Sequence, residues 1–189
     1  MIYIIDDFLP ANMFNSLKLD TSLFNEFKTP NKSFWIKELP EEFIKYLCLR
    51  LEKIENKSII NILSFIREAK KNQDNEWGIH NDAIINNQQP DRAIVYYIES
   101  PDQKKLNGTA LWEHKEQGEV YKGNTDKEYN ELIEKDYNNK KKWKLKSVIG
   151  YKPNRLLSYP CNYFHSKYPN EFEESRKVIV MFYKVNERK

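Results

Sequence analysis

The sequence lacks the features that would link it to a membrane, a disulfide framework or a nucleic acid. Its 189 residues include only two cysteines, Cys48 and Cys161, which predicts buried free thiols in a reducing, cytoplasmic environment. No segment approaches the roughly 20 apolar residues of a membrane helix, and the start of the chain lacks the basic flank of a signal peptide. The 31 basic and 28 acidic residues are intermixed, so the net charge of +3 argues against a nucleic-acid partner.

The length predicts one domain, residues 1–189, which is large enough to bury a core without help from a metal or a disulfide. In its front part, residues 1–57, hydrophobic periodicity predicts one short strand and two helices. The first helix runs from Pro10 to about Leu19, and the second begins at Pro40, a residue that suits the first turn of a helix.

The remaining residues, 58–189, form short apolar segments separated by turn residues, which predicts a mainly β core. Two segments are apolar at both alternating sets of positions, as strands are when both faces are covered. We therefore predict a jelly roll, or double-stranded β-helix, of about eight antiparallel strands with the helices packed on the larger sheet. The predicted strands are 58–68, 78–85, 92–99, 108–114, 147–151, 155–159, 163–167 and 176–185.

An insertion, residues 116–146, interrupts the predicted strands. Within it, Tyr129, Leu132, Ile133 and Tyr137 have the spacing of a short amphipathic helix. The insertion is either a solvated connection or a lid near a substrate, because insertions at the mouth of a barrel often carry specificity.

Histidine is also scarce, yet two of the three histidines occur in a pattern typical of a metal site. His80 and Asp82 are separated by one residue, so on a strand both side chains would point to the same face and reach one ion. The third ligand is predicted to be His165, because an arginine opens the strand that follows it. His114 is the competing candidate, and we interpret it as a polar residue at a strand end. Two histidines and a carboxylate form the facial triad of non-haem Fe(II) oxygenases.

Arg176 opens the last predicted strand and shares a face with apolar residues such as Val178. A guanidinium in that position needs an anionic partner, because an unpaired buried charge is costly. Its planar fork matches a carboxylate in two parallel hydrogen bonds, which predicts a site for an anionic ligand. The alternative is a structural ion pair with Glu171, Glu173 or Glu174.

At these residues the sequence resembles the Fe(II)/2-oxoglutarate-dependent dioxygenase superfamily, and especially its prolyl-hydroxylase-like members. The resemblance covers most of the chain, and the order of its pieces is more specific than any one piece. The pieces are IIDDFLP at 4–10, the His-Xaa-Asp segment with its following strand at 80–99, NGTALW at 107–112, and NRLLSYP at 154–160 followed by His165.

The resemblance implies that His80, Asp82 and His165 bind Fe(II) at the catalytic centre. It further implies that Arg176 holds the distal carboxylate of 2-oxoglutarate and that Tyr97 hydrogen-bonds the same carboxylate. Tyr96 is the alternative to Tyr97 if the strand register differs by one residue. Such enzymes use O2 to convert 2-oxoglutarate to succinate and CO2 while they hydroxylate a C–H bond.

The sequence departs from the pattern of the superfamily at two places. Val178 stands where many members have a serine, and Asn107 and Gly108 replace a Gly-Gly pair. The substrate is expected to be a small molecule or a protein or peptide side chain, and neither its identity nor the oligomeric state is predicted. The alternative function is that of a cupin-like protein that binds a metal or ligand without redox chemistry.

Overall fold

The computed structural model describes residues 1–20, 22–28, 33–69, 76–99, 107–121, 126–171 and 175–187. These residues form ten strands, three α-helices and one turn of 3-10 helix at Lys140–Lys142. The elements are β1 (Tyr3–Ile5), α1 (Ala11–Leu19), β2 (Asn25–Lys28), β3 (Ser33–Glu38), α2 (Glu41–Glu55), β4 (Ser58–Ala69), β5 (Arg92–Glu99), β6 (Gly108–His114), α3 (Asp126–Asp136), β7 (Trp143–Gly150), β8 (Arg155–Pro160), β9 (His165–Tyr168) and β10 (Arg176–Asn186).

The strands pair antiparallel in two sheets. The large sheet has the order β1-β8-β5-β10-β4-β3-β2, and the small sheet has the order β7-β6-β9. Apolar residues of both sheets share one buried cluster, which contains Val95 and Val178 of the large sheet and Leu111 and Ile149 of the small one. The two sheets therefore face each other across a common core, and the predicted jelly roll is confirmed.

The central strands β5 and β10 are covered on both faces, as their apolar composition predicted. On one face of β5, Ile94 and Tyr96 pack in a cluster with Leu47 and Leu51 of α2. Burying one such leucine contributes about 2 kcal/mol to the free energy of unfolding. The opposite face of β5 points into the space between the sheets, so the helices support the large sheet and leave that space to the site.

The boundaries of α2 follow from local chemistry. The helix begins directly after Pro40, and its first turn contains Glu41 and Glu42, whose negative charges favour the N-terminal end of the helix dipole. It ends at Asn56, which adopts the left-handed conformation at a φ of 54°. The predicted start of this helix is confirmed.

Two features of the sheets differ from the prediction. Residues 78–85 do not form a strand: only isolated bridges occur there, at His80 and at Ile85. The front part contributes β2 and β3 as well as β1, which extends the large sheet. All four residues of β2 are exposed, so the strand is held by main-chain pairing with β3 and leaves no pattern of buried side chains in the sequence.

Both cysteines are free, as predicted, although only Cys161 is buried and Cys48 is half-buried. Burial raises the pKa of each thiol. No helix in the described part of the chain is long and apolar enough to cross a membrane.

Candidate metal centre

The side chains of His80, Asp82 and His165 converge at one point, and one ligand atom from each lies within 4.8 Å of the others. Nε2 of His80 is 3.5 Å from Oδ1 of Asp82, and Nε2 of His165 is 3.1 Å from Oδ2 of Asp82. Histidine nitrogens and carboxylate oxygens that bind one ion at about 2.0–2.2 Å lie about 3 Å apart, so only a small adjustment separates this geometry from a coordinated one.

Main-chain pairing brings these residues together across the chain. The N–H of His80 donates to the carbonyl of His165 at 3.0 Å, and the N–H of His165 donates to the carbonyl of His80 at 2.8 Å. The N–H of Asp82 donates to the carbonyl of Cys161 at 2.8 Å. Directly paired residues project their side chains to the same side, so the two imidazole rings lie with their centroids 4.5 Å apart.

Each imidazole is held in the form that can bind a metal. Nδ1 of His80 lies 2.6 Å from the carbonyl oxygen of Gly78, and Nδ1 of His165 lies 3.0 Å from that of Tyr163. Because a carbonyl oxygen can only accept a hydrogen bond, each Nδ1 carries the hydrogen and directs the Nε2 lone pair toward Asp82. A main-chain partner on the second nitrogen is typical of metal-binding histidines.

Electrostatics couple the carboxylate to its neighbours. Burial raises the pKa of Asp82, but the charges of His165, His80 and Arg67 outweigh burial, so the pKa lies below its ordinary value. Burial lowers the pKa of His165, but the Asp82 carboxylate raises it by more, so the pKa lies above its ordinary value. The lowered pKa keeps the Asp82 carboxylate ionised, which is the form of this side chain that binds a metal.

The centre is open on one side. The side chain of His80 is 42% exposed, whereas those of Asp82 and His165 are 10% and 8% exposed. A ligand from solvent therefore approaches along the His80 side.

Arg176 lies in the space between the sheets, with its Cζ atom 5.4 Å from the centroid of the Tyr97 ring. Its Nη2 donates to the carbonyl of Gly108 at 3.3 Å, and the Tyr97 hydroxyl is 2.8 Å from Oγ1 of Thr109. Burial raises the pKa of Tyr97 above its ordinary value, although the charge of Arg176 acts in the opposite direction. Arg176 is 7% exposed, so its guanidinium is buried beside Tyr97.

Tyr96 lies on the opposite face of β5, because neighbouring residues of a strand point to opposite sides. Its hydroxyl donates to Oδ1 of Asn154 at 2.7 Å, within the cluster that packs against the helices. Tyr97 is thus the tyrosine on the face of Arg176. Of the glutamates proposed as alternative partners of Arg176, Glu173 and Glu174 lie outside the described residues.

Two further residues of the site were missed by the sequence analysis. Tyr159 of β8 is buried with its ring centroid 4.7 Å from that of His165. Arg67 of β4 pairs with Val178, which places it on the inner face, and its charge acts on both Asp82 and Arg176. The alternation of inward and outward positions along two predicted strands could have identified both residues, once the ligands had fixed which face is inward.

His114 is the last residue of β6, at the strand end that was predicted, and its buried side chain is not part of the group formed by His80, Asp82 and His165. Its Nε2 lies 3.2 Å from Oδ2 of Asp136, and its Nδ1 accepts main-chain N–H groups of Glu116 and Gln117 at 3.3 and 3.2 Å. Strand β6 and helix α3 are therefore joined through a buried side-chain pair. The sequence offered no signal for this contact, because Asp136 lies in the insertion.

No protein-family model matches the sequence, and none of the curated proteins does. Several solved structures share the fold. A prolyl hydroxylase from Trichoplax adhaerens, solved with a peptide fragment of the hypoxia inducible factor oxygen degradation domain, is 16% identical, with a TM-score of 0.55 over 97% of this chain and 83% of that one.

HygX from Streptomyces hygroscopicus, solved with nickel and 2-oxoglutarate, is 10% identical, with a TM-score of 0.60 over 100% of this chain and 85% of that one. AviO1 from Streptomyces viridochromogenes Tue57 is 11% identical, with a TM-score of 0.61 over 97% and 89% of the two chains. At these identities the likeness is one of fold, and it covers nearly the whole chain.

Proposed function

We propose that the protein is an Fe(II)- and 2-oxoglutarate-dependent oxygenase that hydroxylates a small molecule or a protein or peptide side chain. The observation that supports this most strongly is the convergence of His80, Asp82 and His165, with both Nε2 atoms turned toward the carboxylate. Two neutral histidines and one carboxylate suit Fe(II) and leave coordination positions for other ligands.

The three ligands would hold iron at the open end of the space between the sheets. The carbonyls of Gly78 and Tyr163 keep the imidazole rings from turning, so the ligand atoms are oriented before a metal arrives. Iron and 2-oxoglutarate, when bound, would allow O2 to oxidise a C–H bond to an alcohol: one oxygen atom of O2 enters the alcohol, and the other enters the succinate that forms as 2-oxoglutarate loses CO2.

Arg176 and Tyr97 would bind the distal carboxylate of 2-oxoglutarate. The guanidinium offers paired donors that match a carboxylate, and the Tyr97 hydroxyl lies beside it. Arg67 adds a second positive charge on the same inner face, which favours a dianionic ligand over a neutral one. Buried apolar residues of both sheets line this space and restrict access of water to the reacting groups.

Neighbours on this fold accept different kinds of ligand. HygX has been solved with hygromycin B, and the Trichoplax prolyl hydroxylase with a peptide. A small-molecule substrate and a peptide substrate are therefore both compatible with the fold, and our proposal includes both.

Anaerobic titration of the protein with Fe(II) and 2-oxoglutarate tests the proposal. We expect a weak visible charge-transfer band that appears only when both are present. The Arg176→Gln variant should require a much higher 2-oxoglutarate concentration for the same band, with Fe(II) binding unchanged. Iron binding without any band in the wild-type protein would reject the oxygenase proposal in favour of a non-redox binding protein. Screening candidate substrates for stimulated succinate release would then identify the substrate.

A further inference from the structure

Helix α3 of the insertion reaches the main chain between two of the metal ligands. The Tyr129 hydroxyl accepts a hydrogen bond from the N–H of Asn81 at 3.0 Å and donates one to the carbonyl of Asn81 at 2.8 Å. Asn81 is the residue that separates His80 from Asp82. A single phenol group therefore satisfies both main-chain groups of this residue.

This contact substitutes for a neighbouring strand. The N–H groups of His80 and Asp82 point toward residues 165 and 161, so that of Asn81 points to the other side of the extended segment. A buried main-chain group left without a partner costs about 1–3 kcal/mol, and Asn81 is only 4% exposed. Tyr129 occupies the place where the next strand of a regular sheet would pair, on the side opposite the isolated bridge between His80 and His165.

The insertion is anchored on both sides of His80. The N–H of Gly78 donates to Oδ1 of Asn138 at 3.1 Å, just before His80, while Tyr129 holds the main chain just after it. The end of α3 is itself fixed, because Asp136 contacts His114 at 3.2 Å and its carbonyl accepts the Trp143 indole N–H at 2.7 Å. The contacts of α3 and of the residues directly after it thus lie on both sides of the most exposed ligand of the centre.

Tyr129 is suited to a fixed contact. Its ring packs against that of Tyr121 with centroids 5.1 Å apart. Burial raises the pKa of the Tyr129 phenol, so the hydroxyl keeps its proton and can donate to the Asn81 carbonyl throughout the neutral pH range.

We propose that Tyr129 is a positioning residue of the metal centre, and that the insertion holds His80 and Asp82 at the separation a metal ion requires. This inference rests on the metal site of the proposed function and extends it, because it gives the insertion a role in metal binding in place of a solvated connection. Loss of the Tyr129 hydroxyl would leave all three ligands in the sequence but would free the segment between two of them.

The test is titration of the metal-free protein with Co(II), followed by the visible absorption of the bound ion, for the wild-type protein and two variants. Tyr129→Phe removes the hydroxyl that contacts Asn81 and keeps the ring. The matched control, Tyr137→Phe, removes a hydroxyl of the same insertion that bonds the exposed Glu76 side chain at 2.7 Å. We expect Tyr129→Phe to weaken Co(II) binding by about 10- to 100-fold, the range for groups that orient metal ligands, and Tyr137→Phe to leave it within about threefold of wild type.

Thermal unfolding of the metal-free variants separates positioning from general loss of stability. We expect Tyr129→Phe to unfold several degrees below Tyr137→Phe, because it leaves both main-chain groups of the buried Asn81 without their partner. We also expect it to remain folded at the temperature of the titration, so that the loss of Co(II) affinity is a property of the folded protein. Equal Co(II) affinity of Tyr129→Phe and wild type would overturn the inference, as would equal weakening in both variants.

Wild-type protein that binds Co(II) but gives no band with Fe(II) and 2-oxoglutarate would reject the oxygenase function and leave the inference standing. Wild-type protein that binds no Co(II) would overturn both.

Discussion

Two histidine–aspartate pairs in this protein have nearly the same geometry and different chemistry. His165 lies 3.1 Å from Asp82 at the candidate metal centre, and His114 lies 3.2 Å from Asp136 between β6 and α3. Both pairs use Nε2 and both are buried. The distance between the partners therefore does not reveal which pair could bind a metal.

The second ring nitrogen makes the difference. Nδ1 of His165 faces a carbonyl oxygen and must donate, which leaves the Nε2 lone pair for a metal ion. Nδ1 of His114 accepts two main-chain N–H groups, so its hydrogen is on Nε2 and is given to Asp136. In addition, His80 stands beside the first pair and supplies a third ligand. The main-chain partner of Nδ1 thus distinguishes the candidate metal ligand His165 from the structural residue His114.

Replacing each histidine by glutamine tests this comparison with the largest expected effect. We expect His165→Gln to lower Co(II) affinity by more than about 100-fold, because one of three protein ligands is lost. His114→Gln should keep the affinity within a few fold and instead lower the free energy of unfolding by about 3 kcal/mol, since it leaves a buried carboxylate without its partner. Metal titration and urea unfolding of both variants provide the measurement. A loss of metal binding in His114→Gln alone would reverse our assignment.

The Arg176→Gln variant tests whether the His165–Asp82 pair belongs to a site that binds 2-oxoglutarate. We expect about 30- to 100-fold weaker binding of 2-oxoglutarate in the presence of Fe(II), which corresponds to loss of about 2–3 kcal/mol from charged hydrogen bonds. Metal affinity measured without 2-oxoglutarate should not change. Isothermal titration under anaerobic conditions distinguishes the two affinities, and an equal loss of both would show that Arg176 supports the fold rather than the ligand.

Two adjacent tyrosines provide a test with a smaller expected effect on 2-oxoglutarate binding, in which one variant is the control for the other. Tyr97→Phe should weaken 2-oxoglutarate binding by about 3- to 10-fold, the effect of one hydrogen bond. Tyr96→Phe should leave that affinity unchanged and lower the free energy of unfolding by about 1 kcal/mol, because it removes the buried bond to Asn154. If Tyr96→Phe were the variant with weaker 2-oxoglutarate binding, the orientation of β5 at the site would be different from the one described.

The smallest expected effect is that of the exposed ion pair of Asp6 on the free energy of unfolding. Arg155 and Lys152 hold the pKa of Asp6 at about 2, below its ordinary value of 3.8. A lowered folded-state pKa stabilises the protein above the unfolded pKa, and this stabilisation is lost as the pH falls toward 2. Because Asp6 is 37% exposed, solvent screening limits the effect to less than about 1 kcal/mol. Urea unfolding at pH 5, 3 and 2 should show a steeper decline for wild type than for Arg155→Gln, and equal declines would contradict the assignment.

Much of the fold could be predicted because its signals are local. The helix that begins at Pro40 and the doubly covered strands β5 and β10 follow from periodicity and composition. Strand β2 could not be predicted, since its residues are exposed and it is held by main-chain bonds to β3. The segment 78–85 was predicted to be a strand from its alternating pattern, but its outer side contacts a tyrosine of the insertion, a partner that no local pattern reveals.

The candidate site also depends partly on local sequence patterns and partly on contacts between distant segments. Local sequence patterns were enough to identify the candidate residues, because His80 and Asp82 are spaced to share a face and Arg176 opens an apolar strand. His165 and Tyr97 were predicted with His114 and Tyr96 as alternatives. The folded structure then brings His165 to the other two residues, places Tyr97 on the side of Arg176 and shows what each Nδ1 contacts. The physical reason is that side-chain spacing along one segment is local, whereas the hydrogen-bond partners that select a histidine tautomer come from main-chain pairing between segments far apart in the chain.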